Sequence, residues 1–390
     1  MRDAYVVGAG QSPFGSFPDA TYRSLFETAF ERALDSTNGA FDPGRIDEAF
    51  LGTLGVGGRQ IGLSAPAVTE HVGLHTTPTT RVENACAAGG YAFRSAVTAV
   101  QSGRADVALA GGYEVMTDTS ADQTRWWLGV SGDTEYERLS GTTFAGVYAQ
   151  MANAYFHEYD AEPEALARVA VKNHANGAEN PNAHLGFACS MDDATNAPPV
   201  AEPLNRYHCC PISDGASAVL VVSEDVAEEF APVRVAGVGA ASGRVGLFER
   251  DTLTSIPASA AAAERAYERA GIGPGDVDVA EVHDCFAIAE LLAYEDLGFC
   301  ERGEAGILLD DGRTDPDGEL PVNTSGGLKS KGHPIGATGT GQLVELFEQL
   351  QGTAHVQVDS PEIGLAHNVG GSGGGATVTV LERTDVGGAR

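Results

Sequence analysis

The chain has 390 residues, 43% hydrophobic and 20% charged, which is enough for two or three domains with cores of their own and argues against a disordered chain. Its 54 acidic residues against 24 basic ones leave a formal net charge of −30, and without a basic stripe this excludes a nucleic-acid binder. No apolar run reaches membrane-spanning length, the start MRDAYVVGAGQSPFG has no basic region followed by an apolar stretch, and the six cysteines form no Cys-x-x-Cys pair, so neither a membrane span, a signal peptide, a disulfide framework nor a metal site is expected.

The acid is spread along the chain, and only three of the basic residues are lysines: Lys172, Lys329 and Lys331. Such self-repulsion is tolerable where salt screens it, the Debye length being about 3 Å at 1 M. A cytoplasmic protein of a halophile, most simply a haloarchaeon, is expected.

In chain order, the first amphipathic helical run is ETAFERA at 27–33, followed by a Pro-Gly turn and a strand in DPGRIDEAFLGTL. In RVENACAAGGYAFRSAVTAVQSG a short strand stops and a long small-residue helix begins, with Cys86 at the junction. Free N–H groups and the positive end of the helix dipole predict a thiol that ionises more easily than a free cysteine, whose pKa is about 8.5. A lone cysteine is more often packing, so the position alone does not decide. The stretch DVALAGGYEVM follows and reads as β-rich.

Residues 117–205, with Trp126, Trp127 and the helix-like ALARVAVKNHANG, read as an inserted lid or loop domain that would bind substrate and exclude water. The first core resumes at CCPISDGASAVLVVSEDVAEEF and ends near Ala231-Pro232. The same order then recurs: a helix in ERAYERA at 264–270, a Pro-Gly turn and strand in GPGDVDVAEVHDCF, a small-residue helix opened by His333 in KGHPIGATGTGQLVELFEQLQG, and a glycine-rich β stretch through GLAHNVGGSGGGATVTVL. The repeat predicts an α/β protein of two duplicated, layered halves, 1–116 with 206–231 and 232–390, about a pseudo-dyad, with 117–205 inserted. By that symmetry Cys86 faces His333.

Cysteine with a histidine base is an acyl-transfer pair. The strand end EVHDCF adds His283 and a second thiol, Cys285, and glycine-rich turns can aim N–H groups at an oxyanion.

NACAAGG, SGRADVALAGGYEVM, CCPISDGASAVL, HDCF and GHPIGATG, in this order and spacing, resemble thiolases over essentially the whole chain, with HDCF resembling the sterol-carrier-protein type and its archaeal relatives. The resemblance implies the thiolase fold of two layered α-β-α-β-α halves with a loop domain. It implies Cys86 as the acylated nucleophile, His333 as its base, and His283 with His333 as holders of the thioester oxygen. The backbone N–H groups of Cys86 and Gly370 would form a second oxyanion site. A cysteine common near the C-terminus of thiolases is Asn368 here, so Cys285 inherits proton transfer. The implied reaction is reversible Claisen condensation of acetyl-CoA with an acyl-CoA, two acetyl-CoA giving acetoacetyl-CoA and CoA. No cofactor is implied beyond coenzyme A as substrate and product.

Lys172, Arg206, Lys329 and Lys331 are candidates for the CoA phosphates, Lys329 and Lys331 also being readable as mere turn support. Homodimers or tetramers are implied, and a complex with 3-hydroxy-3-methylglutaryl-CoA synthase through a zinc-ribbon/OB-fold protein is an expectation of the same origin. A longer-chain degradative thiolase and a Cys-His hydrolase are the competing readings.

Overall fold

The computed structural model describes residues 2–384; residue 1 and residues 385–390 of the two predicted halves lie outside them. Eleven strands are present among the described residues: β1 (Ala4–Gln11), β2 (Glu48–Gly52), β3 (Thr79–Val82), β4 (Val107–Glu114), β5 (Pro199–Ala201), β6 (Leu204–Asn205), β7 (Gly215–Ser223), β8 (Val233–Ser242), β9 (Val279–Glu281), β10 (Ile363–Gly370) and β11 (Gly375–Arg383). Nine of them form one mixed sheet in the order β3-β2-β4-β7-β1-β8-β11-β10-β9.

The duplication is written into the pairing. From the centre outward, β1 runs antiparallel to β7 and β7 antiparallel to β4, then β4 pairs parallel with β2 and β2 parallel with β3. From β8 outward the pattern is the same: antiparallel to β11, antiparallel to β10, parallel to β9, then a parallel bridge from Ala280 to Val322. The halves meet where β1 and β8 pair antiparallel, Tyr5 opposite Arg234 and Val6 opposite Val233. The sheet is thus continuous across the seam between the halves.

Alternation along the strands sorts the layers. Val7, Leu109 and Leu220 point to helix Tyr22–Asp35, where Phe26 and Phe30 are buried. A capping box fixes the start of that helix: Thr21 Oγ1 accepts from Ser24 N–H (3.1 Å) and Ser24 Oγ from Thr21 N–H (3.0 Å). On the opposite side Val6, Val219 and Val221 share one core with Val235, Val238 and Ala366 of the second half. Between them lie the helices Ala88–Gln101 and Ile335–Gln351, through Phe93, Val97, Leu343 and Phe347. Helix Pro257–Ala270 covers the far side of the second half. The order is therefore α-β-α-β-α.

The two central helices touch at their first turns because no side chain stands between them. A Cβ on Gly89 would lie 2.9 Å from Gly336 O, and one on Gly339 would lie 2.3 Å from Gly90 N and from Asn368 Oδ1. The small-residue starts of both helices are thereby explained as a requirement for close approach.

The 117–205 stretch also contributes to the core. Its helix Phe144–Tyr159 buries Val147, Tyr148, Met151 and Tyr155 in the same core as Ile288, Leu291 and Leu292 of helix Ala287–Asp296. No helix among the described residues is long and apolar enough to cross a membrane.

Candidate active site

Cys86 lies between β3 and helix Ala88–Gln101, just after Ala85, whose φ of 48° is a left-handed conformation that L-residues rarely adopt. The His333 turn precedes helix Ile335–Gln351. The thiol of Cys86 and ring nitrogens of His283 and His333 lie within 4.8 Å of one another, and the two rings meet edge to face with centroids 5.1 Å apart. Cys86, Cys285 and His333 line one cavity of about 110 Å³, together with Met116, Leu128 and Phe144. It shares Met116, Leu128 and Phe144 with an outer cleft of about 600 Å³.

Each motif has a physical task. In HDCF alternate residues diverge. Asp284 turns away from the cavity, and its carboxylate accepts from the Leu328 and Lys329 N–H groups (2.7 and 3.1 Å) and from Asn173 Nδ2 (2.8 Å). It thereby holds the turn that carries His333. Glu114 of AGGYEVM is fully buried and accepts from the N–H groups of Leu54, Gly55, Val56 and Gly336 at 2.9–3.1 Å, pinning the start of the His333 helix to the end of β2. In CCPISDG, Cys210 N–H donates to Cys285 O (3.0 Å) and Ile212 bridges His333, so one segment ties the Cys285 and His333 stretches together. Asp214 holds the Met116 and Thr117 N–H groups (2.7 and 2.9 Å).

The expectation of an easily ionised Cys86 is overturned. Burial pushes its thiol up to about 12, only partly offset by the Gly371 N–H that reaches it. The helix-start donors are already used: Ala87 N–H donates to Asn84 O and Ala88 N–H to Ala85 O, both at 3.0 Å. Burial also takes His333 down to about 3. Thiol and imidazole are therefore both neutral at rest.

The hydrogen bonds give His333 its tautomer. Thr338 Oγ1 donates to Pro334 O (2.9 Å), so its oxygen is left to accept from His333 Nδ1 at 2.7 Å. The proton is on Nδ1, and Nε2 keeps its lone pair; Nε2 is buried without a protein partner. This is the form a base for Cys86 requires.

The pH dependence of alkylation takes its sign from this burial. A thiol raised to about 12 holds less thiolate at neutrality than an ordinary cysteine. Alkylation of Cys86 by iodoacetamide, followed by peptide mass, is expected to quicken steadily from about pH 6 to 10. A plateau at neutral pH would reveal a resting thiolate–imidazolium pair instead.

Burial raises the Cys285 thiol well above its ordinary value, with the Tyr148 side chain close by. Tyr148 is the residue that sequence reasoning missed. Its ring stacks on Phe286 (4.6 Å) and its hydroxyl donates to Gly371 O (3.1 Å). Nothing sets it apart among eleven tyrosines, since it is delivered by the inserted helix. Gly370 ends β10, its carbonyl accepting from Gly373 and Gly374 N–H (both 3.1 Å).

The lysine candidates for CoA are corrected. Lys172, Lys329 and Lys331 are 7%, 1% and 2% exposed. Lys172 pairs with Glu290 (2.7 Å) and donates to Val322 O (2.9 Å), Lys329 donates to Cys209 O (2.8 Å), and Lys331 lies 3.7 Å from Glu281. Buried ammonium groups need such internal partners and are out of reach of a phosphate. Arg206 is exposed on the turn Arg206–His208 and lines neither cavity. The outer cleft instead carries Arg125 and Arg138. Arg138 stacks on Trp126 at 4.0 Å, and its Nε and Nη2 have no protein partner.

Comparison with known proteins agrees with this geometry. The thiolase N-terminal domain profile matches residues 4–225 and a thiolase C-terminal domain-like profile matches residues 239–383. The acetyl-CoA acetyltransferase of Methanothermobacter thermautotrophicus is 42% identical over 98% of this chain and 100% of its own length. Sterol carrier protein 2 of Rattus norvegicus is 33% identical over 96% of this chain and 71% of its own. Among solved structures, one titled Ltp2-ChsH2(DUF35) aldolase superposes with a TM-score of 0.84 at 26% identity, covering 98% of both chains. With both halves matched in order and the paired thiol and imidazole at their meeting point, the chain belongs to the thiolase family.

Proposed function

We propose that the protein catalyses reversible Claisen condensation of two acetyl-CoA to acetoacetyl-CoA and CoA through an acyl-Cys86 enzyme. The observation that carries it is the Cys86–His333 pair sharing a small cavity with a second thiol, Cys285. His333 Nε2 takes the Cys86 proton as sulfur attacks the thioester carbonyl. The CoA thiolate leaves and takes a proton from Cys285. The Cys285 thiolate, made strongly basic by burial, then takes the α-proton of the second acetyl-CoA. The enolate, its oxygen held by His283 and His333, attacks acyl-Cys86, and the departing Cys86 thiolate recovers its proton from His333. A Cys-His hydrolase would have no use for the second thiol.

Incubation with acetyl-CoA alone tests this reading: acetylated Cys86 and acetoacetyl-CoA are expected, whereas acetate as sole product would point to the hydrolase.

The small inner cavity favours short acyl groups. Phe144→Ala is expected to raise kcat/KM for butyryl-CoA relative to acetyl-CoA by about tenfold, the scale of one or two methylenes in an apolar pocket. An unchanged ratio would place the length limit elsewhere. The CoA phosphates are assigned to Arg125 and Arg138 at the outer cleft.

The net charge of −30 supports a salt-adapted cytoplasmic protein, of haloarchaeal type. Its melting temperature is expected to climb with KCl toward molar concentrations; a salt-independent Tm would refute this. HDCF supports the sterol-carrier-protein-like subtype, and acetoacetyl-CoA would suit the mevalonate route. Strand β3, at the end of the sheet, supports a homo-oligomer joined there. A complex with 3-hydroxy-3-methylglutaryl-CoA synthase through a zinc-ribbon/OB-fold protein stays within the proposal, and co-purification from native extract tests it; full activity as a clean homo-oligomer would count against it.

A further inference from the structure

We propose that Asn368 is a positioning residue that holds His283 in its Nε2–H tautomer, so that the two active-site histidines play opposite parts and the Cys86–His283–His333 cluster is kept from binding a metal. The oxyanion part of this inference rests on the thiolase reading; the tautomer itself does not.

Asn368 stands on β10 opposite Thr377 of β11, with its side chain at the junction of both halves. Its Nδ2 lies 3.0 Å from Cys86 O and 3.2 Å from His283 Nδ1, and its Oδ1 accepts from Gly90 N–H at 3.3 Å. The flipped amide would set its oxygen against the Cys86 carbonyl and its NH₂ against the Gly90 N–H, two mismatches at once. The amide orientation is therefore fixed by backbone groups on either side, and Nδ2 donates. His283 Nδ1 must accept, which leaves its proton on Nε2.

His283 Nε2 is buried and has no protein partner, as is true of His333 Nε2. One ring thus offers an N–H and the other a lone pair beside the same thiol. An oxygen developing negative charge there meets a preformed donor from His283 before any proton has moved, while His333 is free to act as base.

The same wiring governs metals. A cysteine sulfur and two imidazole nitrogens within 4.8 Å are the donor types of a zinc site. An imidazole ligates through a lone pair; the Nε2–H tautomer of His283 has none at Nε2, and its Nδ1 lone pair is taken by Asn368. Asn368 thereby protects a nucleophile that would otherwise sit in a soft-metal trap.

Selective ¹⁵N-histidine labelling of the wild-type protein reads the tautomer directly, with the His283 resonances assigned by loss in His283→Asn. The expected spectrum at neutral pH has His283 protonated at Nε2 and His333 at Nδ1; a His283 protonated at Nδ1 overturns the proposal without any further variant. Asn368→Asp replaces the donor by an acceptor and should move the His283 proton to Nδ1. Its kcat for condensation is expected to fall on the order of 10²-fold, the worth of an oxyanion donor. Its inhibition constant for Zn²⁺ should tighten about 10–100-fold, as a carboxylate behind a ligating histidine favours metal. A variant with unchanged zinc sensitivity and tautomer refutes the inference. If the wild type shows the expected tautomers but forms no acetoacetyl-CoA, the proposed reaction fails while the positioning role stands.

Discussion

Cys86→Ser is expected to lose acyl transfer on the order of 10⁴-fold or more, the scale seen when a nucleophile is removed from a base-assisted pair. The reasoning starts from protonation. His333 is a weak base here, because burial takes it down to about 3. It succeeds with a thiol because sulfur attacks as the proton departs and the Gly371 N–H supports the developing charge. An alcohol is a far weaker acid, and the same imidazole cannot deprotonate it at a useful rate. The substitution is nearly isosteric and leaves the backbone bonds Ala87–Asn84 and Ala88–Ala85 in place, so a folded protein is expected. Two measurements check this: the mass of the Cys86 peptide after acetyl-CoA, and CoA release in a single turnover. A serine variant that is acylated at a rate near wild type would mean that another group is the nucleophile, with Cys285 or Cys210 of the same cavity first in line.

The pairing of Cys86 with His333 is legible in the sequence, because duplication constrains both helix starts at once and the glycines at 89, 90, 336 and 339 permit their contact. In HDCF, His283 and Cys285 are legible, while the task of Asp284 between them appears only when the Lys329 turn is seen folded onto it. Two inferences fail for physical reasons. The helix-dipole argument for Cys86 is local, but its thiol is governed by desolvation from residues brought in by the whole fold. Lysines made conspicuous by scarcity look like ligands for an anion. Two of the three, Lys172 and Lys331, turn out to be interior counterions for the buried Glu290 and Glu281, and Lys329 is buried on the Cys209 carbonyl. Tyr148 is illegible because its role depends on how the insert packs against helix Ala287–Asp296, a contact that no local pattern encodes.

Cys285→Ala is expected to separate the two half-reactions. Acylation of Cys86 should be little changed, since the CoA thiolate can take its proton from solvent and His333 is untouched. Condensation should fall on the order of 10²–10⁴-fold, the usual worth of a positioned acid–base group. The environment of Cys285 suits the task. Burial makes its thiolate short-lived and strongly basic, which matches a weakly acidic carbon acid. Rapid-quench detection of acetyl-Cys86 alongside steady-state acetoacetyl-CoA formation distinguishes the steps: the variant should accumulate acyl-enzyme. Exchange of the acetyl-CoA methyl protons with deuterated solvent gives an independent view, because it reports proton removal without carbon–carbon bond formation and should disappear in the variant. If condensation and exchange both persist at wild-type rates, proton transfer belongs to another group. Asn368, an amide with no proton to accept or release near neutrality, could not replace it, which would leave Cys210 or a water held near His283.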